Sequence, residues 1–288
     1  MSKKVLGIIG GSGLYKMEGL DVKEKVAIET PYGSPSDEII LGKLRGENMA
    51  FLPRHGLGHF IPPSEINFRA NIFAMKKIGV EKIISVSAVG SMKEEYPPGH
   101  FVVPNQFIDR THRRISTFFT TGMVGHVSLA DPICNATSKV LFQAAEKAGA
   151  SVHKGGTYIC IEGPQFSTRA ESNVYRQWGV DVIGMTNMPE AKLAREAEMC
   201  YSTIALSTDY DCWHKEHESV TVEEVVKTMN ENIANARLLV SRALNSIPSE
   251  KDDYIANALK SSIISSIHSI SEESKEKLSA IIRRYLLS

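Results

Sequence analysis

Two carboxylates two positions apart, Asp209 and Asp211, stand in the stretch Ser207-Thr208-Asp209-Tyr210-Asp211-Cys212-Trp213, directly after the apolar run Tyr201 to Leu206. An apolar run of that length predicts a buried strand, and its polar continuation predicts a crevice where acids stand beside a ligand. Acids after a strand also serve as caps, ion pairs or plain loop residues, so the pair needs a partner chemistry elsewhere in the chain.

Donor-rich segments supply it. Val5 to Ile9 reads as a short first strand ending in Gly10-Gly11-Ser12-Gly13-Leu14. There glycines permit positive φ and close backbone approach, so N–H groups and the Ser12 hydroxyl can converge on an anion, although a bare turn uses the same residues. The spacing is not G-x-G-x-x-G, no amphipathic helix follows, and the lysine of a P-loop is missing, so neither a dinucleotide fold nor a nucleotide triphosphate cradle is expected. Asn48 to Leu52 reads as a strand running into Pro53-Arg54-His55-Gly56. Arg54 offers a forked donor suited to a tetrahedral oxyanion and His55 a neutral or charged one; a surface arginine in a Gly-rich loop is the other reading.

Val80 to Val86 reads as a strand, with Ser87-Ala88-Val89-Gly90-Ser91 as a small-residue loop beyond it. A strand ending at Ile161 leads into Gly163-Pro164, a stiff turn that sets Phe166 and Ser167 where an aromatic ring stacks on a flat ligand. The short strand through Ile183 ends in Met185, which fills irregular apolar gaps, and Thr186, a hydroxyl donor. Ser12, Arg54, His55, Ser87, the Ala88 N–H and Thr186 therefore form an anion pocket whose loops carry no acid, and Asp209 with Asp211 form a second pocket of opposite polarity. A phosphate beside a basic, protonatable heterocycle points to group transfer to phosphate. His55, His59, His100, His112 and His126 show no tight ligand spacing, so no metal site is expected.

The elements that must position these residues alternate between helix and strand. Strands are predicted over Glu24 to Thr30, Glu38 to Leu44 and Val152 to Cys160. Helices are predicted from Ser64 to Gly79, from the N-cap Asp131 to the stop Gly149, after the capping box Thr168/Glu171, over Glu190 to Met199, and after the capping box Thr221/Glu224 as far as Leu244. That alternation predicts an α/β fold with a central mixed β-sheet flanked by helices, and in such sheets ligands bind beyond the carboxyl ends of strands. Phe118 and Phe119 either cover an apolar part of a ligand or subunit contact, or pack in the core. The expected organisation is one domain over residues 1–247 and a helical extension over 248–288 packed on it or on a neighbouring subunit. In the extension, Asp253 to Ser265 and Glu272 to Leu287 are predicted helical around a break at Ser266 to Ser271, with Leu278, Ile281, Ile282 and Tyr285 on one stripe.

Among 288 residues, 33 basic side chains balance 33 acidic ones, which disfavours nucleic-acid and membrane-surface partners. No segment reaches a transmembrane length, and the first apolar run breaks too soon for a signal peptide. Cys134, Cys160, Cys200 and Cys212 are widely spaced and read as reduced thiols of a cytoplasmic protein.

Five ordered motifs carry a resemblance: Gly10-Gly11-Ser12-Gly13-Leu14-Tyr15, Pro53-Arg54-His55-Gly56, Ser85 to Ser91, Glu162 to Glu171, and Thr208 to Trp213. Together, over residues 3 to 245, they resemble the purine nucleoside phosphorylase family, in its trimeric class acting on 5′-methylthioadenosine. The resemblance implies that Ser12, Arg54, His55, Ser87, Ala88 and Thr186 bind phosphate. It also implies that Phe166, Ser167, Ile183, Met185, Asp209, Tyr210, Asp211 and Val222 bind the nucleoside. Within that set Asp209 would protonate N7 of the leaving purine, Asp211 would read the 6-amino group, and Val222 would line the 5′ pocket. His126 would come from the neighbouring subunit of a homotrimer. The implied reaction is phosphorolysis of S-methyl-5′-thioadenosine to adenine and 5-methylthioribose 1-phosphate, with inorganic phosphate as co-substrate and no cofactor. Ser12 and Ser87 stand where many relatives carry threonine, and the C-terminal extension matches nothing in the family pattern. The alternatives are a phosphorylase of broader specificity acting on adenosine or 6-oxopurine nucleosides, a non-catalytic nucleoside-binding protein, and hydrolysis by water.

Overall fold

The computed structural model describes residues 5–11, 13–214, 222–266 and 269–286, with the backbone alone at Val222, Glu224, Val225 and Glu231. In chain order the elements are β1 Val5–Gly10, β2 Asp21–Val26, β3 Ile39–Leu44, β4 Glu47–Pro53, α1 Phe68–Lys77, β5 Val80–Ser91, β6 Phe101–Val103, β7 Gln106–Arg110, α2 Asn135–Lys147 and β8 Val152–Lys154. They continue with β9 Thr157–Ile161, α3 Arg169–Gln177, β10 Val182–Gly184, α4 Asn187–Glu196, β11 Cys200–Asp209, α5 Val222–Ala243, α6 Asp253–Ala256, α7 Glu272–Lys277 and α8 Ser279–Leu286.

The strands form one mixed sheet that branches at β5. Along its main path the order is β2-β3-β4-β1-β5-β10-β9-β7, while β11 pairs β5 and leads through β6 to β8. The first half of β5 lies parallel to β1, and its last two residues meet β10 antiparallel. Strand β11 runs parallel to nearly all of it, from Cys200↔Lys82 to Asp209↔Gly90. Alternation along the strands divides the core: Ile9 and Ile83 join the layer holding α1 residues Ile72 and Phe73, whereas Ile8 and Ile84 join Leu141 of α2 and Leu239 of α5. A central sheet covered by helices on both faces gives the central strands β5 and β11 two apolar sides, in keeping with their near-continuous burial, while the edge strand β2 is exposed.

The local signals hold at several ends. Gly79, at φ +88°, follows the C-cap of α1, and Thr168 with Glu171 forms the reciprocal capping box of α3. Others move. α2 begins at Asn135 after a Cys134 N-cap without a side-chain bond, because Cys134 N–H donates to Tyr201 O and ties the preceding turn to β11. The Val152 to Cys160 segment splits into β8 and β9 at Gly155-Gly156, both with positive φ. Most significantly, Ser87-Ala88-Val89-Gly90-Ser91 is not a loop. β5 continues through it, because its small side chains fit between β10 and β11, whose backbones supply the ladder partners. The expected cap Thr221 lies outside the described residues.

Toward the C-terminus, the predicted helix from Asp253 to Ser265 shrinks to the single turn α6, and the last helix is interrupted at Leu278 into α7 and α8. Leu278, Ile281 and Ile282 are buried in the layer shared with α1. Tyr32 Oη donates to Lys277 O at 3.2 Å, and Glu198 Oε1 accepts from Tyr285 Oη at 2.6 Å and from Arg284 at 3.1 Å. Phe118 and Phe119 are core residues of the same layer.

Candidate active site

The carboxyl ends of β1, β4 and β5 converge through backbone and guanidinium alike. Gly10 and Pro53 are register partners, and Arg54 N–H donates to Gly10 O at 2.9 Å. Arg54 is only 2 % exposed. Its fork clasps Glu190 of α4 through Nε–Oε2 at 2.8 Å and Nη2–Oε1 at 2.9 Å, while Nη1 donates to Val86 O and Nη2 to Ser85 Oγ. Tyr201 Oη adds a third bond to Glu190 at 2.8 Å. Burial works against the guanidinium's charge, and the Glu190 carboxylate more than offsets it, so the group is held charged above its ordinary value. The sequence reading offered Arg54 as a forked donor for an oxyanion or as a surface arginine, and its burial overturns the second. Among the described residues, its partners leave at most one Nη1 N–H for a ligand.

His55 is likewise more constrained than expected. Its Nδ1 stands 2.8 Å from Ile61 O, and since a carbonyl only accepts, Nδ1 carries the proton. Burial lowers the ring's pKa to about 4, although the Ile61 bond pulls the other way. The neutral ring then has Nε2 as an acceptor. It stacks on His59 with centroids 4.3 Å apart.

Two strands over, Ser87 and Thr186 come together. Their hydroxyl oxygens lie 3.0 Å apart, both side chains are buried, and Tyr158 Oη of β9 stands 3.2 Å from Ser87 Oγ. Ala88 follows Ser87 within β5, opposite Leu206 of β11.

The acids sit at the far end of the same strand pair. A register shift between Ser207 and Asp209 brings Asp209 opposite Gly90. Asp211 N–H donates to Asp209 Oδ1 at 2.8 Å and Thr208 Oγ1 lies 2.7 Å from Oδ2, which together fix the carboxylate's plane. Asp211 adopts φ +52°, a left-handed conformation that aspartate tolerates better than most residues. Its carboxyl is buried, and burial pushes its pKa up against hydrogen bonds from Ser172 and Cys212. Gly90 makes this arrangement possible: a Cβ there would lie 2.8 Å from Asp209 Oδ1, 3.0 Å from Ile183 Cγ2 and 3.4 Å from Asp211 Cβ.

Above these groups lies the turn after β9. Gly163 packs so closely on Met185 that a Cβ would meet Sδ at 2.5 Å, and Cys212 Sγ lies 3.3 Å from Ser167 O. Phe166 is 46 % exposed, and Ser167 Oγ is buried with no partner among the described residues. An exposed ring and an orphaned hydroxyl on one turn are an open invitation to a ligand. Arg114 braces the whole, donating to Glu162 Oε1 and to the carbonyls of Met185 and Met188.

Ser85, Ser87, Ala88, Gly90, Ile183, Met185, Thr186, Asp209 and Asp211 are thus joined through β5, β10 and β11 and the turns that leave them. Four expected residues are not part of this set. Tyr210 packs in an apolar cluster with Ile183 and Trp213 and stacks on His214, its hydroxyl 3.3 Å from Glu94 O. His126 lies on a separate cavity of about 660 Å³ lined also by Thr117, Phe119, Met123 and Glu196. Ser12 and the side chain of Val222 lie outside the described residues. α5 nonetheless braces both ends of the site, since Arg237 donates to Gly13 O and Asn232 to Ser207 O.

Glu190, Tyr158 and Gly90 were missed by sequence reasoning. Gly90 alone carried a signal, since a glycine inside an apolar run marks a close approach.

The profile of the phosphorylase superfamily matches residues 5–245. The chain is similar to the S-methyl-5′-thioadenosine phosphorylase of Geobacter sulfurreducens, 56% identical over 285 residues that span 99% of this chain and 100% of that one. The similarity therefore runs through most of the C-terminal segment as well. Its fold matches a crystal structure of methylthioadenosine phosphorylase from an antarctic soil metagenomic library, with TM-score 0.92 and 48% identity over 98% of this chain and 99% of that chain. It also matches a substituted form of adenosine/methylthioadenosine phosphorylase from Schistosoma mansoni in complex with methylthioadenosine, with TM-score 0.83 and 36% identity over 90% and 96% of the two chains. The motifs at the strand ends, the mixed sheet that gathers them and similarity along nearly the whole length have one explanation: the chain belongs to the phosphorylase superfamily.

Proposed function

We propose that this protein catalyses phosphorolysis of S-methyl-5′-thioadenosine, giving adenine and 5-methylthioribose 1-phosphate. The observation that carries the reading is the pairing of two sites on one strand system: the Ser87/Thr186 hydroxyls, and the Asp209/Asp211 carboxyls three positions further along β5 and across on β11. Relatives 56% and 48% identical that bear the name of this activity support it.

In this reading hydrogen phosphate is held by the Ser87 and Thr186 hydroxyls, the Ala88 N–H, Ser12 and the remaining Arg54 N–H. The P–OH donates to His55 Nε2, which leaves the attacking oxygen more anionic. The base rests against Phe166 and Met185, with Ser167 and Ile183 beside it. As the C1′–N9 bond breaks, its electron pair moves into the purine, Asp209 delivers a proton to N7, and a phosphate oxygen bonds to C1′. One proton passes in effect from phosphate to base, and no further reactant is consumed. Asp211 accepts from the 6-amino group, so a 6-oxo group there meets an acceptor and loses affinity. Inorganic phosphate is the co-substrate, and no cofactor takes part.

We extend the proposal to the assembly and its setting: a cytoplasmic homotrimer, with the neighbour's His126 and this chain's Val222 near the 5′-methylthio group, and residues 248–288 as an extension of the phosphorylase domain. The exposed side chains of Val124 and His126 beside the 660 Å³ cavity support a subunit contact there. Among the described residues no helix is long and apolar enough to cross a membrane, and the four cysteines are free thiols.

The test is adenine release from methylthioadenosine with and without phosphate, repeated with adenosine and inosine, alongside sedimentation equilibrium. Phosphate-dependent release with inosine the poorest substrate is expected. Release without phosphate would mean hydrolysis, binding without release a non-catalytic protein, and equal turnover of inosine a broader phosphorylase.

A further inference from the structure

Tyr158 is fully buried at 0 % exposure, on β9, outside the set of residues assigned to either ligand above. Its ring is fixed edge-on to Phe107 with centroids 5.7 Å apart, and its hydroxyl points at the Ser87/Thr186 pair. Ser87 Oγ is 3.2 Å away, and Ser87 Oγ is in turn 3.0 Å from Thr186 Oγ1. The backbone cannot yield around it: a Cβ at Gly184 would stand 2.0 Å from the Tyr158 hydroxyl, so glycine alone fits where β10 passes.

Each hydroxyl has one proton to give. The Ser87 and Thr186 oxygens are 3.0 Å apart and Ala88 O is 3.2 Å from Ser87 Oγ, so without a further donor Ser87 spends its proton inside the protein. A phenol that donates to Ser87 Oγ occupies an inward lone pair of the serine, so that, with one proton shared in the Ser87–Thr186 bond, the remaining hydroxyl proton of the pair is left to point outward. Burial pushes this phenol up to about 12, so it keeps its proton throughout the neutral range.

We infer that Tyr158 is a positioning residue for the anion subsite, setting the direction of the Ser87 and Thr186 hydroxyl protons and hence the affinity for phosphate, without touching the nucleoside. The inference rests on the reading of that pair as phosphate ligands.

Initial rates of Tyr158→Phe with both substrates varied test it. The expected result is a KM for phosphate raised about 5- to 20-fold, with KM for methylthioadenosine within about 2-fold of the parent protein and an unchanged near-ultraviolet circular dichroism spectrum. An unchanged phosphate KM, or equal rises for both substrates, overturns the inference. Should Tyr158→Phe not fold, 3-fluorotyrosine placed at position 158 keeps the shape and strengthens the donor. A lower phosphate KM with the nucleoside KM unmoved then supports the inference, and no change overturns it. Absence of phosphate-dependent release in the parent protein would instead remove the reading on which this one rests.

Discussion

At the scale of single residues, Asp209 and Asp211 show how two identical side chains two positions apart acquire different surroundings. Asp209 is partly buried and oriented by Thr208 and the Asp211 N–H, whereas Asp211 is buried on a left-handed turn. Asp209→Asn keeps the shape and removes the transferable proton. We expect kcat/KM for methylthioadenosine to fall about 10²- to 10⁴-fold with circular dichroism unchanged, measured by adenine release; an unchanged value would sink the role. His55 gives a second prediction. With its pKa lowered from 6.5 to about 4, the folded state resists protonation that the unfolded chain accepts. The stability from this residue is therefore present above pH 6.5 and lost as pH falls toward 4. Nitrogen-15 spectra of the ligand-free protein at pH 5.5 should show a neutral ring protonated at Nδ1, and an imidazolium signal would contradict the Ile61 bond. Arg54, His55, Ser87 and Thr186 were legible as polar groups at strand ends. Their donor counts were not, because the acceptors that occupy Arg54 and His55 come from Glu190, 136 residues away, and from Ile61 across a turn.

At the scale of elements, the site depends on the long pair β5/β11. The segment after Val86 has Val89 as its one branched residue among Ser, Ala and Gly, so it reads as a loop, yet it is the part of β5 that carries Ser87 and faces Asp209. Small residues are needed there because three strands meet. Gly90→Ala places a methyl 2.8 Å from Asp209 Oδ1 and 3.0 Å from Ile183. Overpacking of this kind costs about 1–3 kcal/mol and displaces the carboxylate. We expect a lowered melting temperature and at least a tenfold loss in kcat/KM; wild-type kinetics in that variant would show that the bulge has room to give. The Thr168/Glu171 box and the Gly79 stop were readable because they rest on neighbours three residues apart or on one backbone angle. The start of α2 was not, since Cys134 is fixed by the distant Tyr201 carbonyl.

At the scale of the whole molecule, Glu196 couples the α4 layer to the segment that leads to His126. Its carboxylate accepts from Phe118 N–H at 2.6 Å and Thr117 Oγ1 at 2.7 Å on the wall of the 660 Å³ cavity. Burial nevertheless raises its pKa from 4.5 to about 7. The folded state holds this proton more tightly than the unfolded chain, so the contribution is fully present below pH 4.5 and is lost as pH rises to about 7. Glu196→Gln should flatten that part of the stability profile, read by denaturant unfolding from pH 4.5 to 8; a slope equal to the parent's would exclude Glu196 as its source. The sequence by itself determined the alternation of helix and strand, the mixed α/β class and the polar strand ends, because periodicity, caps and small-residue turns act between near neighbours. Only the tertiary structure decided that β5 runs on through its small residues, that Glu190 clasps Arg54, that Tyr158 stands behind the two hydroxyls, and that Tyr210 packs with Ile183 and Trp213. Those are contacts between strands and helices far apart in the chain, set by which side chains the sheet brings within hydrogen-bonding distance.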